Sequence, residues 1–272
     1  MIDLDIPSEN KERNKEGPIL FNKIKEFMKP GLYNVQKALV YDTANEHVRI
    51  PLRFFMLKAM NVNEAEELNR QQDAMDCIRT LIEKIDHLGF LWHHVREQYK
   101  CNSCNEITSS DSDHPIALIP LSKIKSGKEK NIFSVNDNIT EYFQSEEQMT
   151  KDCNKCKATT CTKKNILKDN SNYIVIQFKI YEFRLRSLRA TKITAKSECS
   201  PVVAINTLQG NQNYKVIATI EHLGNDMKGG HYVSYILDNE DWYHCNNCEV
   251  NILPRNSKTP FENVYILLHK KL

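Results

Sequence analysis

The hydrophobic pattern of the chain changes period near Trp92, and that change divides it. Residues 1–17 are polar and charged, which predicts a disordered lead-in. Over residues 18–29, Leu20, Ile24, Phe27 and Met28 recur at helical spacing, and Pro30-Gly31 ends that element. Residues 35–60 are apolar and mostly helical in character. Met75, Ile78, Ile82 and Ile85 then repeat at intervals of three, four and three, with Asp73 placed to cap the helix they predict. Past Trp92, residues 95–165 are rich in Ser, Asn, Asp and Lys and alternate only in short stretches. They predict β-hairpins and loops held by something other than a large core. From residue 172 the runs are β-branched and aromatic: "NYIVIQFKIYEF", "NYKVIATIEHL", "HYVSYIL", "DWYHC" and "NVYILLHK", separated by Asn, Gly and Asp turns. Helices, then a β insertion, then an antiparallel sheet make the expected class α+β.

Composition narrows the function classes. With 40% hydrophobic and 26% charged residues, the 272-residue chain can bury an ordinary core. A net charge of +2 with mixed signs gives no basic surface for nucleic acid. The longest apolar runs, such as "YIVI" and "VYILL", are far too short to span a membrane. The opening "MIDLDIPSENKERNKEG" carries acids where a signal peptide needs bases and an apolar run, so the expected location is intracellular, cytoplasm or nucleus.

Six of the nine cysteines form Cys-x-x-Cys pairs, at 101/104, 153/156 and 245/248. In a reducing compartment that spacing reads first as metal ligation. Cys101 with Cys104 and Cys153 with Cys156 can each hold one edge of a tetrahedral zinc from a hairpin tip. Binding energy would then replace core burial in the polar β region. The alternatives are four free thiols, Cys161 in place of one ligand, or Cys245 and Cys248 as the second pair; a Trp-bearing strand leads into Cys245, which favours packing in the sheet.

His231 follows Gly229 and Gly230 and opens a strand. Glycines there let an extended peptide pass close to the backbone. A neutral imidazole is the base a thiol nucleophile needs, and an Asn or Asp can orient it. Asn246 and Asn247 follow one strand later, where a hairpin returns them beside His231; a purely structural histidine is the other reading.

These residues together resemble the ubiquitin-specific proteases, thiol-dependent deubiquitinases. "GGHYVSYI…WYHCNN" is similar to that family's histidine box, and "QQDAMD" at residues 71–76 to its Gln-Gln-Asp-Ala-x-Glu motif, with Asp76 replacing the glutamate. The two Cys-x-x-Cys pairs fall between, where the family carries zinc-bearing fingers, and "NYIVIQFKIYEF" stands at its Leu-Lys-Arg-Phe strand without the Lys-Arg-Phe. The resemblance implies a papain-like thumb, fingers and palm, here residues 18–92, 93–168 and 169–272 of one domain. It implies ubiquitin as partner, with its tail running between thumb and palm. It makes His231 the base, Asn246 the orienting residue, Asn247 a support for the oxyanion, and Cys101, Cys104, Cys153 and Cys156 the zinc ligands. Gln72, Asp73, Gly229, Gly230 and Tyr232 would contact the tail, under a loop at residues 223–230.

One part of the family pattern is missing. Its nucleophile lies in Gly-Leu-x-Asn-x-Gly-Asn-Thr-Cys-Tyr, before "QQDAMD", yet no cysteine precedes Cys77. Residues 31–34, Gly-Leu-Tyr-Asn, fit the start of that motif, and residues 35–39 fit the helix after it, as though a segment had been cut out between Asn34 and Val35. Cys77 is expected to be buried and unreactive. The functional expectations are therefore a deubiquitinase whose full transcript restores the cysteine, a ubiquitin-binding pseudoprotease, a protease for a ubiquitin-like modifier such as SUMO, or a zinc-dependent interaction module.

Overall fold

A computed structural model describes residues 72–272, apart from 123, 126–130, 169, 185–188, 194, 225–228, 248 and 255–260. The expected lead-in, the helices at 18–29 and 35–60, and the Asn34–Val35 junction lie outside the described residues.

The first described helix, α1 (Ala74–Lys84), follows from its sequence. Asp73 caps it by accepting from the Met75 amide at 2.6 Å, and Met75 and Ile82 are buried on one face. A 3-10 turn (Asp86–Leu91) leads into the strands. In chain order these are β1 (His93–Cys101), β2 (Ile107–His114), β3 (Ala117–Pro120), β4 (Ile124–Lys125) and β5 (Asn131–Ser134). Helix α2 (Val135–Gln144) follows, then β6 (Glu146–Thr150), β7 (Thr160–Leu167), β8 (Tyr173–Lys179), β9 (Tyr181–Arg184), β10 (Arg189–Lys192) and β11 (Ala195–Glu198). Last come β12 (Val202–Thr207), β13 (Gly210–Leu223), β14 (His231–Asp238), β15 (Asp241–Asn246), β16 (Glu249–Ile252) and β17 (Val264–Lys271).

Twelve strands form one sheet, with the path β16-β15-β14-β13-β12-β7-β1-β2. Strand β17 joins it between β13 and β8, β3 extends it from β8, and β6 pairs with β7. Pairing is antiparallel except at β3–β8 and at a single contact between β12 and β7. β4, β5 and β11 form a separate three-stranded sheet, in which β11 and β5 run parallel. The core is densest where β8 and β17 meet: Ile174, Ile176, Phe178 and Leu267 are fully buried. Continuous apolar runs suit strands covered on both faces.

One difference from the sequence reading concerns residues 95–165. They are not all hairpins: α2 is a helix, capped by the Ser134 hydroxyl accepting from the Asp137 amide. Its Val135, Ile139 and Phe143 are fully buried, so this part of the chain joins the core. The expected looser packing applies to β1, β2, β6 and β7, where β2 is almost wholly exposed. Among the described residues no helix is long and apolar enough to cross a membrane, which says nothing of β-barrels.

Candidate functional site

The β14–β15 hairpin builds the first cluster. Its two-residue turn, Asn239-Glu240, has φ values of 45° and 75°, the backbone twist that suits tight hairpins. The ladder pairs Asp238 with Asp241 and Ser234 with Cys245. Continued by one residue, that register sets Asn246 across from Val233, and His231 lies two residues further along on the same face. His231 Nε2 lies 2.6 Å from Asn246 Oδ1. A carboxamide oxygen only accepts, so this contact places the proton on Nε2 and leaves the Nδ1 lone pair available as a base. Asn247 is exposed, in a left-handed conformation with φ 54°, just past the strand.

A second cluster lies behind the first. Tyr232 stacks on Tyr265 at 6.2 Å and tilts against His222 at 4.8 Å. The Tyr265 hydroxyl reaches both oxygens of Asp73, at 3.0 and 2.8 Å, so the carboxylate that caps α1 also ties the helix to β17. Burial, reinforced by the charge of Asp73, pushes both phenols above their ordinary range. The Tyr181 hydroxyl sits 2.9 Å from His222 Nδ1, and Lys192 Nζ donates to the carbonyls of His222 and Gly224, each at 2.7 Å. Gln72 is half-buried beside Asp73, and Gly229 and Gly230 are exposed just before His231. Tyr181, Lys192, His222 and Tyr265 were not singled out from sequence. A histidine next to the end of the strand that leads into a Gly-Gly-His turn was the available signal for His222.

The third cluster is the group of four cysteines, Cys101, Cys104, Cys153 and Cys156. Two turns of the same design present them. Asn105 N donates to Cys101 O and Lys157 N to Cys153 O, both at 3.0 Å; Cys101 N donates to Glu106 O and Cys153 N to Ala158 O, both at 2.8 Å. Asn105 and Lys157 take matching left-handed conformations, φ 59° and 61°. All four sulfurs lie within 4.8 Å of one another, and the pairs Cys101–Cys156 and Cys104–Cys153 are 3.5 and 3.6 Å apart. A tetrahedron with zinc–sulfur bonds of about 2.3 Å has edges of about 3.8 Å, so the thiols already stand close to that shape. Backbone N–H groups of Cys104 and Ser103 hold the Cys101 thiol down to about 6, and those of Cys156 and Lys155 lower Cys153. Cys104 goes the other way, to about 12: its Glu106 amide contact favours the thiolate, but desolvation and the three neighbouring sulfurs outweigh it. Four thiolates this close need a cation to coexist, and the donor set fits a soft, tetrahedral metal ion.

The remaining cysteines stay apart. Cys161 is buried in β7 opposite Cys101 but is not among the four clustered thiols. Cys245 packs in β15, and Cys248 lies outside the described residues. Burial pushes the Cys77 thiol up to about 11 and Cys199 up to about 12, which makes both poor nucleophiles.

Comparisons with known proteins agree on one family. A model described as ubiquitin carboxyl-terminal hydrolase matches residues 5–269. Ubiquitin carboxyl-terminal hydrolase 25 of Arabidopsis thaliana is 26% identical over 188 residues, 65% of this chain and 26% of that protein. Among solved structures, a chain of the SAGA DUB module of Ubp8, Sgf11, Sus1 and Sgf73 bound to monoubiquitin superposes with a TM-score of 0.66 at 16% identity, covering 82% of this chain and 53% of that one. The same module bound to ubiquitin aldehyde gives 0.65 at 15%, covering 82% and 54%. The chain thus spans about a quarter of the curated relative and about half of each solved chain.

Proposed function

The chain belongs to the ubiquitin carboxyl-terminal hydrolase family, and from that premise we propose that it is a ubiquitin-specific-protease-type domain that binds ubiquitin. In a form carrying a cysteine at the Asn34–Val35 junction, it hydrolyses isopeptide and peptide bonds at the ubiquitin C-terminus. The observation that carries this reading is the 2.6 Å contact from His231 Nε2 to Asn246 Oδ1. It leaves Nδ1 to take the proton of a thiol, giving a thiolate–imidazolium pair able to attack a carbonyl carbon. The imidazolium then returns the proton to the leaving amine, and Asn246 holds the ring in orientation throughout. Asn247 is the support for the oxyanion in this reading, and Gln72, Asp73, Gly229, Gly230 and Tyr232 contact the ubiquitin tail. Zinc is the proposed structural ion of Cys101, Cys104, Cys153 and Cys156; it fixes the two turns and takes no part in the chemistry. The domain works inside the cell, on ubiquitinated protein, without nucleic acid or membrane.

A second reading is favoured by one specific observation: no cysteine precedes Cys77, and the Cys77 thiol is held protonated by burial. On that reading the chain as written is a ubiquitin-binding pseudoprotease. Calorimetric titration with ubiquitin tests what the two readings share. Saturable binding at micromolar ubiquitin is expected; no binding, or binding of SUMO alone, overturns both. Sequencing the transcript across the Asn34 and Val35 codons separates them, because an in-frame segment encoding Thr-Cys-Tyr supports the hydrolase and a direct join the pseudoprotease.

A further inference from the structure

His222, the last residue but one of β13, lies beside the base but is not used by the proposed chemistry. It pairs with Tyr232 in the ladder and is buried, 2% exposed. Its two ring nitrogens have different neighbours. Nδ1 meets the Tyr181 hydroxyl at 2.9 Å. Nε2 faces Gly230 so closely that a Cβ at residue 230 would lie 2.3 Å from it, and 2.6 Å from the Leu223 carbonyl oxygen. Any side chain at residue 230 must therefore push the ring or the backbone. Gly224, at φ +119°, closes the same junction: a Cβ there would stand 3.1 Å from the Gly230 Cα. Lys192 fixes the carbonyls of His222 and Gly224 from the other side. The imidazole, the glycine pair and the ammonium make one tight joint, and the next residue along the chain is His231. A shift of the joint carries the His231 backbone with it, and a 2.6 Å hydrogen bond loses strength steeply when its geometry is disturbed.

We infer that His222 is a positioning residue for His231: its imidazole, held by Tyr181, wedges against Gly230 and fixes the point from which the His231 ring reaches Asn246. The inference rests on reading His231 as the base. Burial and the Lys192 ammonium hold the His222 pKa below its ordinary value, so the ring acts as a neutral spacer.

The test uses the full chain labelled with ¹⁵N-histidine and reads the tautomer ratio of His231 from its ring nitrogen shifts. His222→Asn keeps a polar atom for Tyr181 and deletes the side of the ring that meets Gly230. Gly230→Ala introduces the clash. Each is expected to lower the Nε2–H to Nδ1–H ratio roughly fivefold, the equivalent of one net hydrogen bond. The double variant is expected to lose less than the product of the two, because the clash with the ring is gone and only that with the Leu223 carbonyl oxygen remains. An unchanged ratio in His222→Asn, or a multiplicative loss in the double variant, overturns the inference. A drop in melting midpoint with the ratio intact marks a purely structural residue and overturns it as well. Tyr181→Phe, which removes only the hydroxyl, gives a second reading should His222→Asn not fold: a shift in the same direction is expected, and none overturns the inference. Failure of the wild-type chain to bind ubiquitin overturns the proposed function alone, since the His231 ratio is measured without ubiquitin.

Discussion

Replacing Asp73 by alanine should cost far more than its position at the start of a short helix suggests, because one carboxylate does two jobs. It caps α1 through the Met75 amide at 2.6 Å, and it accepts the Tyr265 hydroxyl at 2.8 and 3.0 Å. Loss of an N-cap costs about 1 kcal/mol. A hydrogen bond to a charged group contributes about 1.5–3 kcal/mol. The expected loss for Asp73→Ala is therefore about 2.5–4 kcal/mol, a large share of the roughly 5–15 kcal/mol that holds a domain together. Tyr265→Phe should lose the second part together with the 2.7 Å bond that Gln177 Nε2 donates to the same hydroxyl. The two changes should be non-additive, with a coupling of at least about 1.5 kcal/mol, since each removes the same bond. Asp73→Asn keeps an acceptor for the cap, so it isolates the cost of the charge. Urea midpoints by tryptophan fluorescence give the global values, and amide exchange at Met75 reports the cap locally. A loss below about 0.5 kcal/mol for Asp73→Ala, or simple additivity with Tyr265→Phe, would show that Asp73 does not join α1 to β17 in the way described.

Three further outcomes are expected. Metal analysis should give one zinc per chain, and Cys153→Ser or chelation should open β1, β2, β6 and β7 to protease while β17 amides stay protected; an intact hairpin region after chelation would remove the metal reading. His93 and His269 are both pushed down to about 3, His93 by burial and then by its neighbours His114 and His94, His269 by burial alone. The unfolded chain therefore takes up these protons first. Stability should be intact above pH of about 6.5 and fall as pH drops from there toward 3, by about 1.4 kcal/mol per pH unit for each histidine. His269→Leu should remove one such increment of slope from a pH series of urea midpoints, and an unchanged slope refutes it. At pH 8, Cys77 and Cys199 should alkylate at least about 100-fold more slowly than an exposed thiol, as their thiolate fractions require; fast labelling of either in the folded chain would contradict the burial assigned to it.

What could be read from sequence was what depends on near neighbours. The three-four-three spacing from Met75 and the Asp73 cap are local, and both appear as expected in α1. The His231–Asn246 meeting follows from two strands and a tight turn, so a hairpin argument placed it. Helix α2 also had its signals, Val135, Ile139 and Phe143 four apart behind Ser134, but they lay in a stretch whose Asn, Asp and Ser content read as loop. The cysteine spacing pointed to a metal, whereas the matched left-handed residues Asn105 and Lys157 could not be foreseen, because lysine has no preference for that conformation. Strand order was out of reach. Nothing in "NVYILLHK" says that it lies between β13 and β8, and nothing in "HL" that His222 will press on Gly230. Those contacts are decided by partners far along the chain.

The place of β17 also matters while the protein is being made. It lies between β13 and β8, and Val264, Tyr265, Ile266 and Leu267 are all buried there. A ribosome releases every other described strand before this one. Until it emerges, β8 and β13 present open, apolar edges to solvent, and at synthesis rates of roughly 5–20 residues per second that exposure lasts for seconds. The nascent chain is thus most open to edge-to-edge association at the moment its sheet is nearly complete. A premature stop before Val264 would leave the sheet with a missing central strand and would mark the product for degradation.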